Sequence, residues 1–574
     1  MEKELFFDTK KNFTLILFQT VSCKQTPKTL TAIYITTKLV TWKRKSVLEF
    51  RNKFNLGGNK MSFMNAIQNT LNDKYNISIS ENGAIGYRSS GKELLDLNFA
   101  VASLRGASEQ EIIDKFTKAF FEDKILAMKW LFFARDVRGG LGERRLFRVI
   151  LKSLIENNPE MVIPVINLIP EYGRYDDLWC LLDNQESAKV VYNIVDEQLI
   201  EDLHNMKKNK PISLLAKWMP SINASSAQTK KYAKQFCKVF GLTEREYRQI
   251  LSRLRKYLDV VETKMSAKNW SEIKYEAVPS KANLIYSNAF LKKDEERRKE
   301  YLEKLKKGET KINASTLYPH DIVHKYSGGC CYLSNKDSTI EALWKALPDT
   351  VQGCGNTIVV ADGSYSMTDN IGGNTTVTAL DVANALAIYF AEHSSGEFKD
   401  KYITFSERPQ LVDFSKADSL HDKLQIALTY DECANTNIEK VFDLILTTAI
   451  EHNMRQEDMP KNILIISDME FDSCATSGDS DIWSRNRPNQ RLFDVIAQRY
   501  ADAGYQLPRL VFWNVNSRTG TIPVKENELG VALVSGFSVN IVKMVMSNKL
   551  DPYECLLETL NSERYAPIEK ALRG

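Results

Sequence analysis

The chain has 574 residues, too many for one compact core, and this length corresponds to about three to five domain-sized units. Its 43% hydrophobic and 26% charged residues are typical of a folded globular protein and argue against a largely disordered one. No apolar run reaches about 18 residues, so we expect no membrane contact. The nine cysteines include no C-x-x-C pair, which argues against a disulfide scaffold or zinc ribbon and favours a reducing, cytoplasmic location.

The net charge of +4 conceals an asymmetry along the chain. Counted by block, the net charge is +8 for residues 1–60, +7 for residues 61–350 and −11 for residues 351–574. Blocks of opposite sign predict different partners for different parts of the chain.

Residues 1–60 are basic and show no sustained hydrophobic period. The codons of Gly57-Gly58 could form a bacterial ribosome-binding site shortly before Met61, where an amphipathic helical pattern begins. We therefore expect translation to begin naturally at Met61 and residues 1–60 to be a poorly ordered basic extension. An anchoring or nucleic-acid-binding basic arm is the alternative.

Residues 61–350 carry the signature of a helical domain. Apolar residues recur at three-to-four spacing, as from Phe116 to Leu131 and from Leu146 to Leu154, and prolines such as Pro159 and Pro170 mark helix boundaries. Successive helical hairpins of this length predict an α-helical repeat domain, a HEAT-like solenoid.

Three polar segments of this domain allow a chemical and a structural interpretation. The glycine-rich segment 134–145 lacks the preceding strand and the Gly-Lys-Ser/Thr of a nucleotide loop, so we interpret it as a connection between helices. Asp176-Asp177 could be catalytic, but such pairs more commonly cap a helix. His320 and His324 have the spacing of a zinc-protease helix, but Asp321 replaces its glutamate and no third ligand follows.

The window 207–256 is strongly basic, with 13 Lys and Arg against two glutamates. Such a density of cations suits the phosphates of a nucleic acid, because each neutralised phosphate releases counterions. Interleaved aromatics such as Tyr232 and Phe236 could stack on bases or face the core. The predicted RNA-binding residues are Lys230, Lys231, Lys234, Lys238, Arg245, Arg248, Arg253 and Arg255.

An α/β pattern begins after Gly355. Short apolar runs predict strands over 356–361, 402–405, 410–414, 462–466 and 509–515, separated by helices, and this alternation predicts a doubly wound parallel sheet. Ligands of such sheets bind beyond the carboxyl ends of the strands. Asp362, Ser364 and Ser366 follow the first strand as D-x-S-x-S, and Asp468 follows a later one. Their hard oxygen ligands suit Mg²⁺, or Mn²⁺, which accepts the same oxygens.

Residues from about 355 to 550 resemble a von Willebrand factor A domain with a metal-ion-dependent adhesion site. The resemblance rests on D-x-S-x-S after a strand and on two polar loops in the matching order, 435–437 and 467–468. By this resemblance Asp362, Ser364 and Ser366 would be the first-loop metal ligands, Thr436 the second-loop ligand and Asp468 the third-loop ligand.

Over residues 61–574 the chain also resembles an uncharacterised two-domain family of bacteria, plants and large viruses. The segments that carry this likeness are Phe133–Gly140, Leu215–Ser221, Met265–Trp270 and Lys307–Ala314. More distantly, the domain order is similar to that of the Ro autoantigen (TROVE-domain) proteins, whose helical-repeat ring binds small non-coding RNA. The domains expected are therefore an extension over 1–60, a helical repeat domain over 61–350 and a von Willebrand factor A-like domain over 351–574.

These features predict a non-enzymatic RNA-binding protein. Its basic solenoid would grip small non-coding or misfolded RNA, and its Mg-binding domain would close the scaffold or recruit a partner through an acidic residue. The alternative is a metal-dependent protein–protein interaction adaptor that binds no nucleic acid. An enzyme is not expected, because no histidine or unpaired carboxylate is placed as a base beside the metal residues.

Overall fold

The computed structural model describes residues 63–329, 332–351, 356–372, 375–405, 408–430, 437–471, 492–523, 530–545, 549 and 551–574. Residues 72–574 form one compact unit, and the chain up to Leu71 belongs to another. The extension expected over residues 1–60 lies outside the described residues. None of the described helices has both the length and the apolar character that crossing a bilayer requires.

The first half of the chain is helical, as predicted. It holds a two-stranded antiparallel hairpin, β1 (Ser78–Ile79) and β2 (Ile85–Gly86). Its α-helices are α1 (Phe63–Lys74), α2 (Glu93–Phe99), α3 (Glu109–Glu122), α4 (Lys124–Arg135), α5 (Arg144–Asn157), α6 (Pro159–Val162), α7 (Ile169–Tyr172), α8 (Gln185–Lys207), α9 (Leu215–Trp218), α10 (Ala227–Val239), α11 (Glu244–Tyr257), α12 (Val261–Ser266), α13 (Ser280–Lys293), α14 (Glu295–Lys306), α15 (Pro319–Ser327) and α16 (Ser338–Lys345).

The second half alternates strands and helices. The strands are β3 (Thr357–Asp362), β4 (Lys401–Phe405), β5 (Leu411–Asp413), β6 (Asn462–Ser467), β7 (Arg509–Asn514) and β8 (Val531–Ser535). The α-helices are α17 (Ala379–His393), α18 (Leu420–Tyr430), α19 (Ile438–Glu451), α20 (Leu492–Asp502), α21 (Val542–Val545), α22 (Pro552–Leu560) and α23 (Ala566–Arg573). The helical first half followed by an α/β second half confirms the coarse prediction of an α part and an α/β part.

The six strands form one sheet in the order β5-β4-β3-β6-β7-β8. β3, β4, β6, β7 and β8 are parallel, and only the edge strand β5 is antiparallel to its neighbour β4. The sheet is therefore mixed and not fully parallel as expected. β6 is buried from Ile463 to Ser467, because its β-branched run is covered on both faces, as parallel strands require.

The two halves pack together within the compact unit. Helix α17 lies on β3, β4 and β6 and contacts α15 of the first half. After β8 the chain turns back, so that α22 and α23 contact α4. A separate small core, built around Tyr275, Phe290 and Tyr301, joins residues 261–305.

Candidate metal centre and basic surface

The carboxyl ends of β3 and β6 meet at the centre of the sheet. The chain leaves β3 toward β4 on one side, whereas β6 continues toward β7 on the other, so this is the point where the strand order reverses. In open α/β sheets the crevice at that point is the usual ligand site. Asp362 is the last residue of β3, and Asp468 directly follows β6, so the pairing of these strands brings both carboxylates to the crevice.

Hydroxyl groups surround the two carboxylates. Ser467 Oγ donates to Asp362 Oδ2 at 2.6 Å, and the backbone N–H of Ser364 donates to Asp362 Oδ1 at 2.9 Å. Ser364 Oγ lies 3.0 Å from Ser366 Oγ, and the Ser366 side chain makes a polar contact with Asp468. The structure thus brings four of the five predicted metal ligands together. The fifth, Thr436, lies outside the described residues.

Both carboxylates are buried, at 1% exposure for Asp362 and 0% for Asp468. Burial, together with the nearby charge of Asp468, raises the pKa of Asp362 to about 7. Burial also raises the pKa of Asp468, although its contacts with Ser366, the Glu470 N–H and Arg518 act in the opposite direction. Two adjacent buried carboxylates are stable in their charged form only beside positive charge, so the cluster favours a cation.

The donor set fits a hard divalent ion. Asp468 Oδ2 is buried and accepts no hydrogen bond of good geometry within the described part of the chain. The hydroxyls of Ser364 and Ser366 add neutral oxygen donors, which Mg²⁺ and Mn²⁺ accept together with water. No group of three or more His, Cys, Asp or Glu side chains in the described residues is arranged to hold a metal. A metal here would therefore depend on the serine hydroxyls and on water.

Sequence reasoning missed the residues that complete this crevice from the β7 side. Arg518 Nη2 lies 3.3 Å from Asp468 Oδ2. Glu470, two residues beyond Asp468, is 0% exposed and accepts the backbone N–H groups of Arg518 and Thr519, each at 2.8 Å. No motif marks these residues. The one sequence signal was an Asp468-Met469-Glu470 pair of acids directly after a buried strand.

The other candidate chemical segments have structural roles. Asp177 is 0% exposed and pairs with Arg135 and Arg148, each at 2.7 Å, while accepting the Arg174 N–H at 3.0 Å at the start of the 3₁₀ helix Tyr175–Leu181. The capping interpretation is therefore confirmed for Asp177, whereas Asp176 pairs with Arg148 at 2.9 Å. Segment 134–145 connects α4 to α5, which confirms its interpretation as a connection between helices.

The two histidines of α15 have separate surroundings. The buried His320 ring stacks on Tyr318 at 5.5 Å between ring centroids. The His324 ring bridges two groups of the second half, with Nδ1 2.7 Å from Asp381 Oδ2 and Nε2 2.9 Å from Thr376 Oγ1. His324 therefore ties α15 to the start of α17.

Seven of the eight predicted RNA-binding cations are exposed on α10 and α11. We call them the basic surface: Lys230, Lys231, Lys234, Lys238, Arg245, Arg248 and Arg253. Within the described residues, acidic side chains lie within salt-bridge distance of only two of them, Asp183 at 2.9 Å from Lys231 and Glu244 at 3.9 Å from Lys234. The remaining five have no acidic side chain that close, although Arg248 Nε donates to the Glu244 carbonyl at 3.2 Å, and their charge faces an external anion.

Arg255 is a correction to the predicted set. Its guanidinium donates to the carbonyls of Ala216 at 2.8 Å and Met219 at 2.9 Å, and to Ser221 Oγ at 3.2 Å. Those bonds hold the α9 turn against α11, so the side chain is not available to a phosphate. The aromatics Tyr232, Phe236 and Tyr247 are buried, which confirms that they face the core and leaves them unable to stack on bases.

Two family models match adjacent stretches of the chain. Residues 226–357 match the domain of unknown function DUF2828, and residues 356–567 match the domain of unknown function DUF7788. The uncharacterized protein L728 of Acanthamoeba polyphaga mimivirus is 29% identical over 532 residues, covering 86% of this chain and 89% of that protein. Neither domain description assigns an activity, so the resemblance to von Willebrand factor A domains rests on the residues alone.

Among solved structures, the crystal structure of the Deinococcus radiodurans RO (RSR) protein matches most of the chain, but the two backbones superpose poorly. The match covers 82% of this chain and 93% of that protein, with 11% identity and a TM-score of 0.32. A similarity of this size supports no argument about binding by this chain.

Proposed function

We propose that this chain is a non-enzymatic RNA-binding protein that grips RNA phosphates on its basic surface and holds Mg²⁺ or Mn²⁺ at the carboxyl ends of β3 and β6. The observation that carries the RNA proposal is the basic surface itself, in which five cations have no acidic partner among the described residues. Because Tyr232, Phe236 and Tyr247 are buried, and Tyr257 is exposed only at 36%, recognition would depend on phosphates and RNA shape more than on base stacking.

The proposal also includes a HEAT-like solenoid in the first half of the chain and a von Willebrand factor A-like domain in the second. The sheet order, the reversal point and the D-x-S-x-S residues at that point support the second. When bound, the ion would neutralise the buried Asp362 and Asp468 and offer a coordination position to an external oxygen. The protein's own residues would hold it: two carboxylates, the Ser364 and Ser366 hydroxyls and, by resemblance, Thr436.

The RNA proposal is tested by neutralising part of the basic surface. The variant Lys230→Gln/Lys234→Gln/Lys238→Gln should bind a structured RNA more weakly. Its plot of log K against log salt should be shallower by about 2.1–2.7, because each of the three lost phosphate contacts removes about 0.7–0.9 from the slope. Titration of fluorescent RNA by anisotropy at several salt concentrations measures both quantities.

A matched control removes the same charge elsewhere. Lys299, Lys304 and Lys306 on α14 are exposed, and each pairs with a glutamate of the same helix. Neutralising these three should leave the RNA affinity and salt slope unchanged. Equal losses from both variants would contradict the assignment of the binding face, because only the net charge of the protein would then matter.

The metal proposal is tested with Mn²⁺, whose free concentration is measured by electron paramagnetic resonance. Asp362→Asn and Asp468→Asn should each lower the Mn²⁺ affinity by at least about tenfold, whereas Asp413→Asn, at the exposed end of β5, should not. Removing one of two adjacent buried charges also relieves repulsion, so metal-free Asp362→Asn should unfold in urea no earlier than the wild type. Asp468→Asn also breaks the ion pair with Arg518, so this stability comparison applies to Asp362 alone. Unchanged Mn²⁺ affinity in both variants would refute the site.

One observation favours the adaptor function as a second candidate. Tyr365, between the two serine ligands, is 75% exposed, which places a large aromatic surface beside the proposed ion. Exposed aromatics of this kind are typical anchors of protein interfaces. Material that copurifies from the natural host distinguishes the functions. Nuclease-sensitive absorbance supports RNA, whereas a protein partner that is lost on chelation or in Tyr365→Ala supports the adaptor.

A further inference from the structure

The Arg518 side chain joins three segments at the candidate metal centre. Its Nε donates to Glu81 Oε2 at 2.7 Å, Nη1 lies 3.2 Å from Asp369 Oδ2, and Nη2 lies 3.3 Å from Asp468 Oδ2. Glu81 is in the turn between β1 and β2, Asp369 follows the 3₁₀ helix Tyr365–Thr368, and Asp468 follows β6. One guanidinium therefore contacts a proposed metal ligand and two exposed carboxylates at the rim.

The backbone under Arg518 is held in place by Glu470. Oε1 of this buried carboxylate accepts the N–H groups of Arg518 and Thr519 and the Ser517 hydroxyl at 3.3 Å. Its other oxygen, Oε2, accepts the Glu81 N–H at 2.8 Å. Because the same carboxylate fixes the loop of Arg518 and the turn of Glu81, the guanidinium stays at the mouth of the crevice even if its contact with Asp468 is broken.

Arg518 and a divalent ion would compete for one oxygen. Asp468 Oδ2 accepts no well-formed hydrogen bond from the described residues. The nearest positive charge among those residues is the Arg518 guanidinium, with which it forms an ion pair. A divalent ion that coordinates this oxygen would be repelled by the positive charge of the guanidinium, which occupies the same position. Glu81 and Asp369, with exposed side chains at 57% and 63%, are already in contact with Arg518 and can keep it when Asp468 is taken.

We propose that Arg518 is the resident counter-ion of Asp468 and sets the cation affinity of the centre, because a divalent ion binds only as the guanidinium gives up Asp468 and remains on Glu81 and Asp369. The inference rests on the metal site of the proposed function. In this proposal Arg518 neither coordinates the metal nor orients a residue that does. It competes with the metal for Asp468.

The experiment is a Mn²⁺ titration of the full chain, with bound ion measured by electron paramagnetic resonance, for the wild type, Arg518→Gln and Arg518→Lys. Even with the dielectric constant of water, one charge about 6 Å from a divalent ion changes its affinity about tenfold. Arg518→Gln should therefore bind Mn²⁺ at least about tenfold more tightly. Arg518→Lys, which keeps the charge, should stay closer to the wild type.

The control is Arg455→Gln, because Arg455 also bridges two carboxylates, Glu457 and Asp458, on an exposed surface. It should leave Mn²⁺ affinity unchanged. Unchanged or weaker binding by Arg518→Gln, with the wild type still binding, would overturn the inference and leave the metal site intact. No Mn²⁺ binding by any of the proteins would refute the metal site and the inference together, whereas binding by Arg518→Gln alone would support both.

Discussion

An ion pair between Asp136 and Arg564 joins the C-terminal helices to the first half of the chain. The free-energy cost of breaking this pair can be worked out from its surroundings. Asp136, directly after α4, is 0% exposed. It accepts hydrogen bonds from Arg564 Nε and Nη2, the latter at 2.7 Å, from Tyr565 Oη at 3.0 Å and from the Arg138 N–H at 2.9 Å. Arg564→Gln leaves this carboxylate buried without a positive partner.

Breaking a buried ion pair from one side costs about 3–5 kcal/mol. Arg564 is one-third exposed, and Tyr565 and the Arg138 N–H remain bonded to Asp136, so we expect a loss below that range, about 2–3 kcal/mol. The control Arg573→Gln removes an exposed pair with Glu569 on α23, which is worth about 0.3–0.5 kcal/mol. Urea unfolding followed by tryptophan fluorescence measures both.

The outcome that would refute this reasoning is a loss for Arg564→Gln within about 0.5 kcal/mol of that for Arg573→Gln. A double-mutant cycle with Asp136→Asn separates the pair itself from its surroundings. If the pair carries the effect, Arg564→Gln should cost much less in the Asp136→Asn background, because the uncompensated charge is then absent.

Three further predictions concern single positions. Gly142→Ala should lower the free energy of unfolding much more than Gly308→Ala does. Both glycines have φ near +70°, but of the two only Gly142 would place a Cβ against a neighbour, at 1.8 Å from Tyr318 Oη. Equal shifts of the two urea midpoints would contradict this. Burial lowers the pKa of His320 to about 4. The unfolded chain therefore takes up the proton first as pH falls from about 6.5 to about 4, and the wild type should lose about 2–3 kcal/mol of stability over that window relative to His320→Gln. Parallel pH profiles of the two would disprove it. Tyr247→Phe removes the buried hydrogen bond from Tyr247 Oη to the Pro220 carbonyl at 2.8 Å and should cost about 1 kcal/mol, whereas an unchanged midpoint would show that bond to be neutral.

Local pattern was sufficient for much of the fold. The runs of β3, β6 and β7 are short and apolar, with β-branched residues in β3 and β6 and aromatic residues in β7. The sequence predicts each of them to within two residues, because a buried parallel strand leaves such a continuous apolar run. β8, Val531–Ser535, was missed because so short an apolar run does not distinguish strand from helix. The antiparallel direction of β5 depends on its pairing with β4, which periodicity does not encode.

The functional residues likewise fall into those that local sequence predicts and those that depend on tertiary contacts. Asp362, Ser364 and Ser366 were identified from spacing, and Asp468 from its place after a strand, because parallel strands bring their carboxyl ends to one edge. Arg518 was not identified, since its contact with Glu81 joins residues 437 positions apart. Arg255 was misassigned because charge alone does not show whether a guanidinium faces water or three backbone and hydroxyl oxygens.

The bond between Asp136 and Arg564 also bears on the order of events during synthesis on the ribosome. More than four hundred residues must be translated after Asp136 before its partner exists. Until then the helices that precede Asp136 carry an unneutralised carboxylate at a surface that is interior in the folded protein, so we expect them not to reach their final packing before Arg564 has been added. A stop codon immediately before Arg564 would leave Asp136 without this partner permanently.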